Sequence, residues 1–311
     1  MNRIMDYKAI IIGVDHGYGN IKTAHRIISS GVDRIEGEAI TQENILHYGN
    51  SYYSIGESHL TFLGEKTKDQ GFYILTLAAI AEELNYRGMS EANIILSAGL
   101  PLAWTASQSK EFKRYLIQDR EPEFDYKGIH YHVYISRVMI FPQGFAEINS
   151  IGNITGEGMI VDVGNGTMNI MRVSNGNVLE KSLVTENYGV SICVRNIQEA
   201  VSRAKGRNID ERILEGIIRS ESPAGNDEIT GLVRRIAKEY AAEILKRLVV
   251  HGYEEEYMNL YVFGGGGCLL RNFTDISEKK NVTFIDDLCA NAKGFEFLAT
   301  RKMDLITGRT A

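Results

Sequence analysis

The sequence predicts an α/β protein made of two similar halves, each a mixed sheet flanked by helices. Three observations lead there. Apolar runs rich in Ile, Val and Tyr alternate with segments whose apolar residues recur at three and four. A strand ending in D-x-G-x-G occurs twice, at Asp15 and Asp162, 147 residues apart (162 − 15) in a chain of 311. No Pro-rich or Gly/Ser linker divides the chain, whose four prolines are scattered at 101, 122, 142 and 223, so structured elements must join the halves.

In chain order, the predicted strands are AIIIGVD (9–15), NIILSAGLP (93–101), YHVYISRVMIF (131–141), MIVDVG (159–164), LYVFG (260–264) and VTFID (282–286). Between them, FYILTLAAIAEELNYRG (72–88), SQSKEFKRYLIQD (107–119), GVSICVRNIQEAVSRAKG (189–206) and EITGLVRRIAKEYAAEILKRLVVHG (228–252) carry the spacing of amphipathic helices. The run 128–141 reads as a hairpin or consecutive strands rather than as half of a parallel pair, for want of a helix-length connection to its neighbours.

Length and a hydrophobic content of 44% allow one large core or, more typically, two domains. A net charge of -6 argues against a generally basic nucleic-acid binder. Three cysteines without a CxxC pair, and no secretory leader ahead of the first strand, lead to the expectation of a reducing cytoplasm. No apolar run approaches the ~18–20 residues that a spanning helix requires, so no membrane role is expected.

DHGYGNIK (15–22) and DVGNGT (162–167) put small residues where a sheet wants bulk. Glycine there lets backbone N–H groups approach an anion, and two such turns suit the two sides of a phosphate chain. An aspartate at each strand end would repel bare phosphate, which implies a bridging divalent cation, most naturally Mg²⁺. Each copy alone is weak, since Asp and Gly are common in ordinary hairpin turns. A third cluster, VFGGGGCLLRNF (262–273), follows a strand and precedes a helix, and four successive glycines are entropically costly in a mere connection. Three such loops favour a nucleotide.

With these motifs the chain resembles the actin-like ATPase superfamily. GVDHGYGNIKT is similar to its first phosphate loop, MIFPQGFAEIN to the first connecting helix, IVDVGNGTMNI to the second phosphate loop, YVFGGGGCLLRN to the adenosine motif and LCANAKGFEFLA to the second connecting helix, in the family's order. The short chain and DHGYGNIK resemble most the bacterial plasmid-segregation actins of the ParM/StbA type and their archaeal relatives. The resemblance implies two duplicated actin-like (ribonuclease H-like) domains around a nucleotide cleft, residues 1–145 with 289–311 and residues 146–288. Outer lobes are expected at about 26–90 and 188–255.

It also implies roles. Asp15 and Asp162 hold the Mg²⁺ hydration shell, and Gly17, Tyr18, Gly19 and Asn20 surround the β-phosphate with Lys22 on phosphate oxygens. Gly164, Asn165, Gly166 and Thr167 face the γ-phosphate, and Gly265, Gly266 and Gly267 lie against the sugar and α-phosphate. Asp162 polarises the attacking water and Gln143 orients it, a neutral amide being too weak a base to remove a proton. Lys22 as a solvated strand residue and Gln143 as a turn residue stay open. His130 and His132 share a strand face without a third ligand, so no zinc is assigned, and His16 receives no role. The implied activity is hydrolysis of ATP, with GTP left open, coupled to self-association into filaments that move plasmids through a DNA-binding adaptor protein. A small-molecule kinase or a nucleotide-binding scaffold of the same superfamily remains the alternative.

Overall fold

The computed structural model describes residues 3–36, 43–56, 67, 70–146, 148–152, 154–219 and 227–308. Glu147 of the MIFPQGFAEIN run, Pro223 and parts of both expected outer lobes lie outside the described residues. The chain divides into two compact units, Met1–Ser150 with Cys289–Ala311, and Ile151–Leu288.

The first unit begins with β1 (Ile10–His16), β2 (Asn20–Lys22), β3 (Ile27–Ser29), β4 (Val32–Ile35), β5 (Ile45–Tyr48), β6 (Ser51–Ile55) and helix α1 (Gly71–Tyr86). There follow β7 (Glu91–Leu100), α2 (Leu102–Leu116), β8 (Glu123–Tyr126) and β9 (Ile129–Pro142), and a single turn, α3 (Ile148–Ile151), runs across the boundary into the second unit. The strands form one sheet in the order β3-β2-β1-β7-β9-β8-β5-β6-β4. Its centre is parallel, β1 on β7 and β7 on β9, and both strands of the first pair are buried nearly throughout, which explains their unbroken apolar runs. Helix α1 departs from the amphipathic expectation: from Phe72 to Ala81 it is buried without a break, an inner helix rather than a surface one.

Two further expectations need correction. The second helix begins at Leu102, directly after Pro101, rather than near 107, because buried Leu102 anchors its first turn. β9 does form a hairpin with β8, but it also pairs in parallel with β7, with α2 as the crossover. A bulge at Ser136, whose Oγ donates to the Ile94 carbonyl at 2.8 Å, offsets that parallel register by one residue.

The second unit contains β10 (Glu157–Val163), β11 (Met168–Ser174), β12 (Asn177–Val178), β13 (Val184–Glu186), α4 (Val190–Lys205), α5 (Glu211–Arg219) and α6 (Asp227–Val250). It continues with β14 (Asn259–Phe263), α7 (Gly267–Phe273) and β15 (Val282–Phe284). Its sheet runs β12-β11-β10-β14-β15, with β13 paired to β11. Helices α4 to α7 cover it with Val194, Ile197, Leu214, Ile244 and Leu270, each such buried side chain contributing about 1.5–3 kcal/mol.

The last helix, α8 (Ala290–Thr307), belongs to the first unit and lies on β1 and β7. Close approach requires Gly13 and Gly99 there: an added Cβ would stand 2.1 Å from the Ala292 carbonyl oxygen and from the Phe295 ring, respectively. An ion network around buried Glu83 completes the joint. Glu83 accepts from Thr23 Oγ1 (2.6 Å), His25 Nδ1 (2.7 Å) and Arg87 Nε (2.8 Å), while Arg87 Nη2 also reaches Glu296, which accepts from the Gly13 N–H. Among the described residues no helix is long and apolar enough to cross a membrane.

Candidate functional site

Each unit carries its own half of the predicted constellation. In the first, buried Asp15 is the last residue but one of β1, and the antiparallel partner strand β2 puts Lys22 directly opposite it. Cross-strand partners share a face, so Lys22 Nζ reaches Asp15 Oδ2 at 3.4 Å. Asp15 Oδ1 accepts from Gln143 Nε2 at 2.7 Å. A carboxylate only accepts, which fixes the Gln143 amide with its NH₂ towards Asp15. A buried carboxylate is tolerated because both oxygens have partners.

Gln143 is itself held on both sides. Its N–H donates to the Leu100 carbonyl at 2.8 Å, and the next N–H, of Gly144, donates to Asn291 Oδ1 of α8 at 2.9 Å. The β1–β2 turn is fastened by Ser30, whose N–H donates to the Gly19 carbonyl (3.0 Å) and whose Oγ donates to that of Gly17 (2.6 Å). Tyr18 turns its side chain into the core against Phe72, ring centroids 5.4 Å apart, so only its backbone is available to a ligand. Burial pushes its phenol well up. Asn20 opens β2, and His16, also buried, meets Thr76 Oγ1 at 2.8 Å and packs edge-on to Phe112.

The second half repeats the first in register. Asp15 pairs with Lys22 and Asp162 with Asn169, seven residues on in both cases (22 − 15, 169 − 162). Each hairpin's first strand also pairs in parallel with a later strand, β7 or β14. The second turn is closed by the Gly164 N–H on the Thr167 carbonyl (2.9 Å), and the start of α4 grips it from outside: Val190 N–H donates to Gly164 (3.0 Å) and Ser191 N–H to Asn165 (2.9 Å). Among the described residues this leaves the N–H groups of Asn165 and Gly166 without a protein acceptor. Thr167 is buried at the end of the turn.

The four glycines after β14 divide in use. Gly264 has φ +81° and lies against Asp162: an added Cβ would stand 2.4 Å from Asp162 Oδ1 and from the Val163 carbonyl oxygen. It was missing from the sequence-derived set, because only the fold shows that Asp162 is its neighbour. Gly266 packs on Val163 and Val190 and spends its N–H on the Val163 carbonyl at 2.9 Å. Gly265 has open space where a Cβ would stand, and it lines, with Gly264 and Gly267, a cavity of about 230 Å³. Arg219 at the end of α5, Arg271 and Phe284 also line it. The Arg271 guanidinium stacks 4.7 Å over the Phe284 ring and pairs with Asp286 at 2.5 Å. Cys268 lines it too, its thiol donating to the Gly265 carbonyl at 3.2 Å; burial pushes that thiol's pKa up despite the lowering effect of Arg219. Arg219 was not legible in the sequence, since α5 carries no motif, whereas Arg271 lies inside the VFGGGGCLLRNF cluster without having been given a role.

His130 and His132 sit outside both halves, paired with Asp125 at 2.7 Å and Glu121 at 2.8 Å. Among the described residues no group of three or more His, Cys, Asp or Glu could hold a metal by itself.

The family model for the N-terminal domain of actin-like proteins matches residues 13–145, and that for the C-terminal domain of archaeal MreB-like actin homologues matches residues 160–275. No curated protein matches the chain. Among solved structures, it is similar to the archaeal actin homologue Ta0583 in complex with ADP (18% identity, TM-score 0.74, covering 94% of this chain and 99% of that one). It is also similar to a subunit of a 15-stranded ParM filament from Clostridium botulinum (16%, TM-score 0.76, 95% and 100%) and to Bacillus thuringiensis ParM with ATP (14%, TM-score 0.68, 96% and 100%). Two family models in tandem over the greater part of the sequence, and end-to-end agreement in fold, show that the chain belongs to the actin-like proteins.

Proposed function

We propose that this protein is an ATPase whose nucleotide state drives its own assembly into filaments, in the manner of the plasmid-segregating ParM proteins. The observation that carries the reading is the duplicated hairpin, with a buried aspartate at each strand end, its cross-strand partner seven residues on, and small residues in the turn. In this reading the unpaired N–H groups of Asn165 and Gly166 face the terminal phosphate, while Gly17, Gly19, Asn20 and Lys22 serve the β-phosphate. The cavity beside Gly265 and Gly267 takes the nucleoside. In this reading Asp15 and Asp162 would hold a Mg²⁺ ion that arrives with the nucleotide: magnesium is usually held by one or two carboxylates plus phosphate and water, and no all-protein cage is needed. Bound there, the ion would neutralise phosphate charge. Gln143, fixed by Asp15 and the Gly144 turn, orients water rather than deprotonating it.

Filaments of ParM are known among the structurally similar proteins, and a head-to-tail contact that does not close into a ring builds such polymers. DNA contact is left to an adaptor protein, in keeping with the acidic net charge, and the expected location is the cytoplasm. GTP as a second substrate is part of the proposal.

Phosphate release from Mg·ATP tests the reading. Wild type should turn over without added sugar, and Gln143→Ala should slow turnover about 100-fold with ATP affinity little changed, as expected for lost orientation. Turnover that requires a sugar would favour a kinase, and tight ATP binding without turnover a scaffold.

A further inference from the structure

The second phosphate turn is shaped by a residue outside every motif. Gly189, between β13 and α4, approaches so closely that an added Cβ would stand 2.2 Å from the Asn165 carbonyl oxygen and 2.7 Å from the Gly166 carbonyl carbon. Its φ is −99°, so glycine is needed for proximity and not for conformation. Directly after it, Val190 and Ser191 make their hydrogen bonds to Gly164 and Asn165. The Gly189 carbonyl in turn accepts from the buried Tyr240 hydroxyl of α6 at 2.8 Å. Tyr240 stacks on Tyr188 with centroids 4.4 Å apart and planes 5° from parallel, and Tyr188 lies under the Arg247 guanidinium at 3.9 Å. Arg247, in the last turn of α6, and His251, directly after that helix, both hold Glu186 at 2.5 Å. Glu186 ends β13 opposite Met168, the first residue of β11 after the phosphate turn.

We infer that Gly189 and the Tyr240 hydroxyl are positioning residues for the second phosphate turn, and that through them terminal-phosphate recognition depends on helix α6. The inference rests on the nucleotide reading above and assigns the control of that site. Two carbonyls of the turn are pinned by α4, and Gly189 presses on the peptide between Asn165 and Gly166, whose N–H groups are the unpaired donors. Tyr240 sets where Gly189 sits. Helix α6 thus acts on the turn through a rigid series of buried contacts rather than through a ligand of its own.

The test is the ratio of Mg·ATP to Mg·ADP affinity, measured with fluorescent analogues on the full chain. A displaced turn should lose contacts to the terminal phosphate first, whereas a general weakening of the unit lowers both affinities alike. Tyr240→Phe keeps the stack and removes one neutral hydrogen bond, so ATP affinity should fall about 5-fold and the ratio with it. Gly189→Ala should lower the ratio by about tenfold or more. Tyr126→Phe in the first unit should leave it unchanged. If Tyr240→Phe melts as wild type does and retains the wild-type ratio, the inference is overturned, whether or not Gly189→Ala folds. Failure of wild type to bind either nucleotide would instead overturn the nucleotide reading itself.

Discussion

Replacing Gly264 by alanine separates a backbone requirement from a ligand requirement within one glycine run. Its φ of +81° costs an L-residue about 1–2 kcal/mol. The new methyl would also meet Asp162 Oδ1 and the Val163 carbonyl oxygen at 2.4 Å, well inside contact distance, and relieving such overpacking costs about 1–3 kcal/mol. The sum, about 2–5 kcal/mol, is a large part of an ordinary stability of about 5–15 kcal/mol. At about 3 °C per kcal/mol for a unit of this size, Tm should fall by roughly 6–15 °C. Gly265→Ala is the matched control: its Cβ would have no neighbour within 4 Å and its φ is not positive, so Tm should stay within about 2 °C. The same methyl enters the cavity, so nucleotide affinity should drop in a fluorescent-ATP titration. Thermal melts followed by circular dichroism decide the matter. Equal melting of Gly264→Ala and wild type, or equal damage from the two alanines, would refute the argument.

Other consequences concern the first unit. Glu83→Ala strips the buried partner from Thr23, His25 and Arg87 and should destabilise by about 3–5 kcal/mol in chemical denaturation. Burial pushes the Glu83 pKa up, but the hydrogen bonds from Thr23, His25 and Arg87 and the charge of Arg87 outweigh it and leave it lowered. The pH-dependent part of this loss should therefore be full above about pH 4.3, the unfolded value, and vanish as pH falls through the lower folded one; a loss that grows below pH 4 would contradict it. Gln143→Glu sets a second carboxylate beside Asp15 Oδ1, where 2.7 Å now separates amide and acid. Two carboxylates at that distance repel once both are ionised, so the variant's stability relative to wild type should be highest below about pH 4 and fall as pH rises towards 8. Parallel Tm profiles for the two proteins would count against that contact.

What was legible in the sequence is what depends on short range. The two aspartates and their turns showed through because a strand that breaks into glycine twice, at one offset, has no simpler explanation. Lys22 was reachable for the same reason: seven residues across a tight hairpin return to the opposite strand. Tyr18 shows the limit, since its position in the loop is local but the turn of its ring onto Phe72 depends on α1, more than fifty residues away. Gly264 and Gly189 were hidden more deeply. A glycine needed for φ or for proximity looks like any other until its neighbours, Asp162 and Asn165, are folded against it. Inner helix α1 was misjudged because periodicity cannot register a helix surrounded on every side.

The most direct test of the central claim is light scattering combined with high-speed pelleting of the pure protein on addition of Mg·ATP, with Asp162→Ala in parallel. The account predicts scattering that rises with ATP, sediments as polymer and decays as phosphate is released, with no such rise in the variant. ATP bound or hydrolysed without assembly at any protein concentration would contradict it.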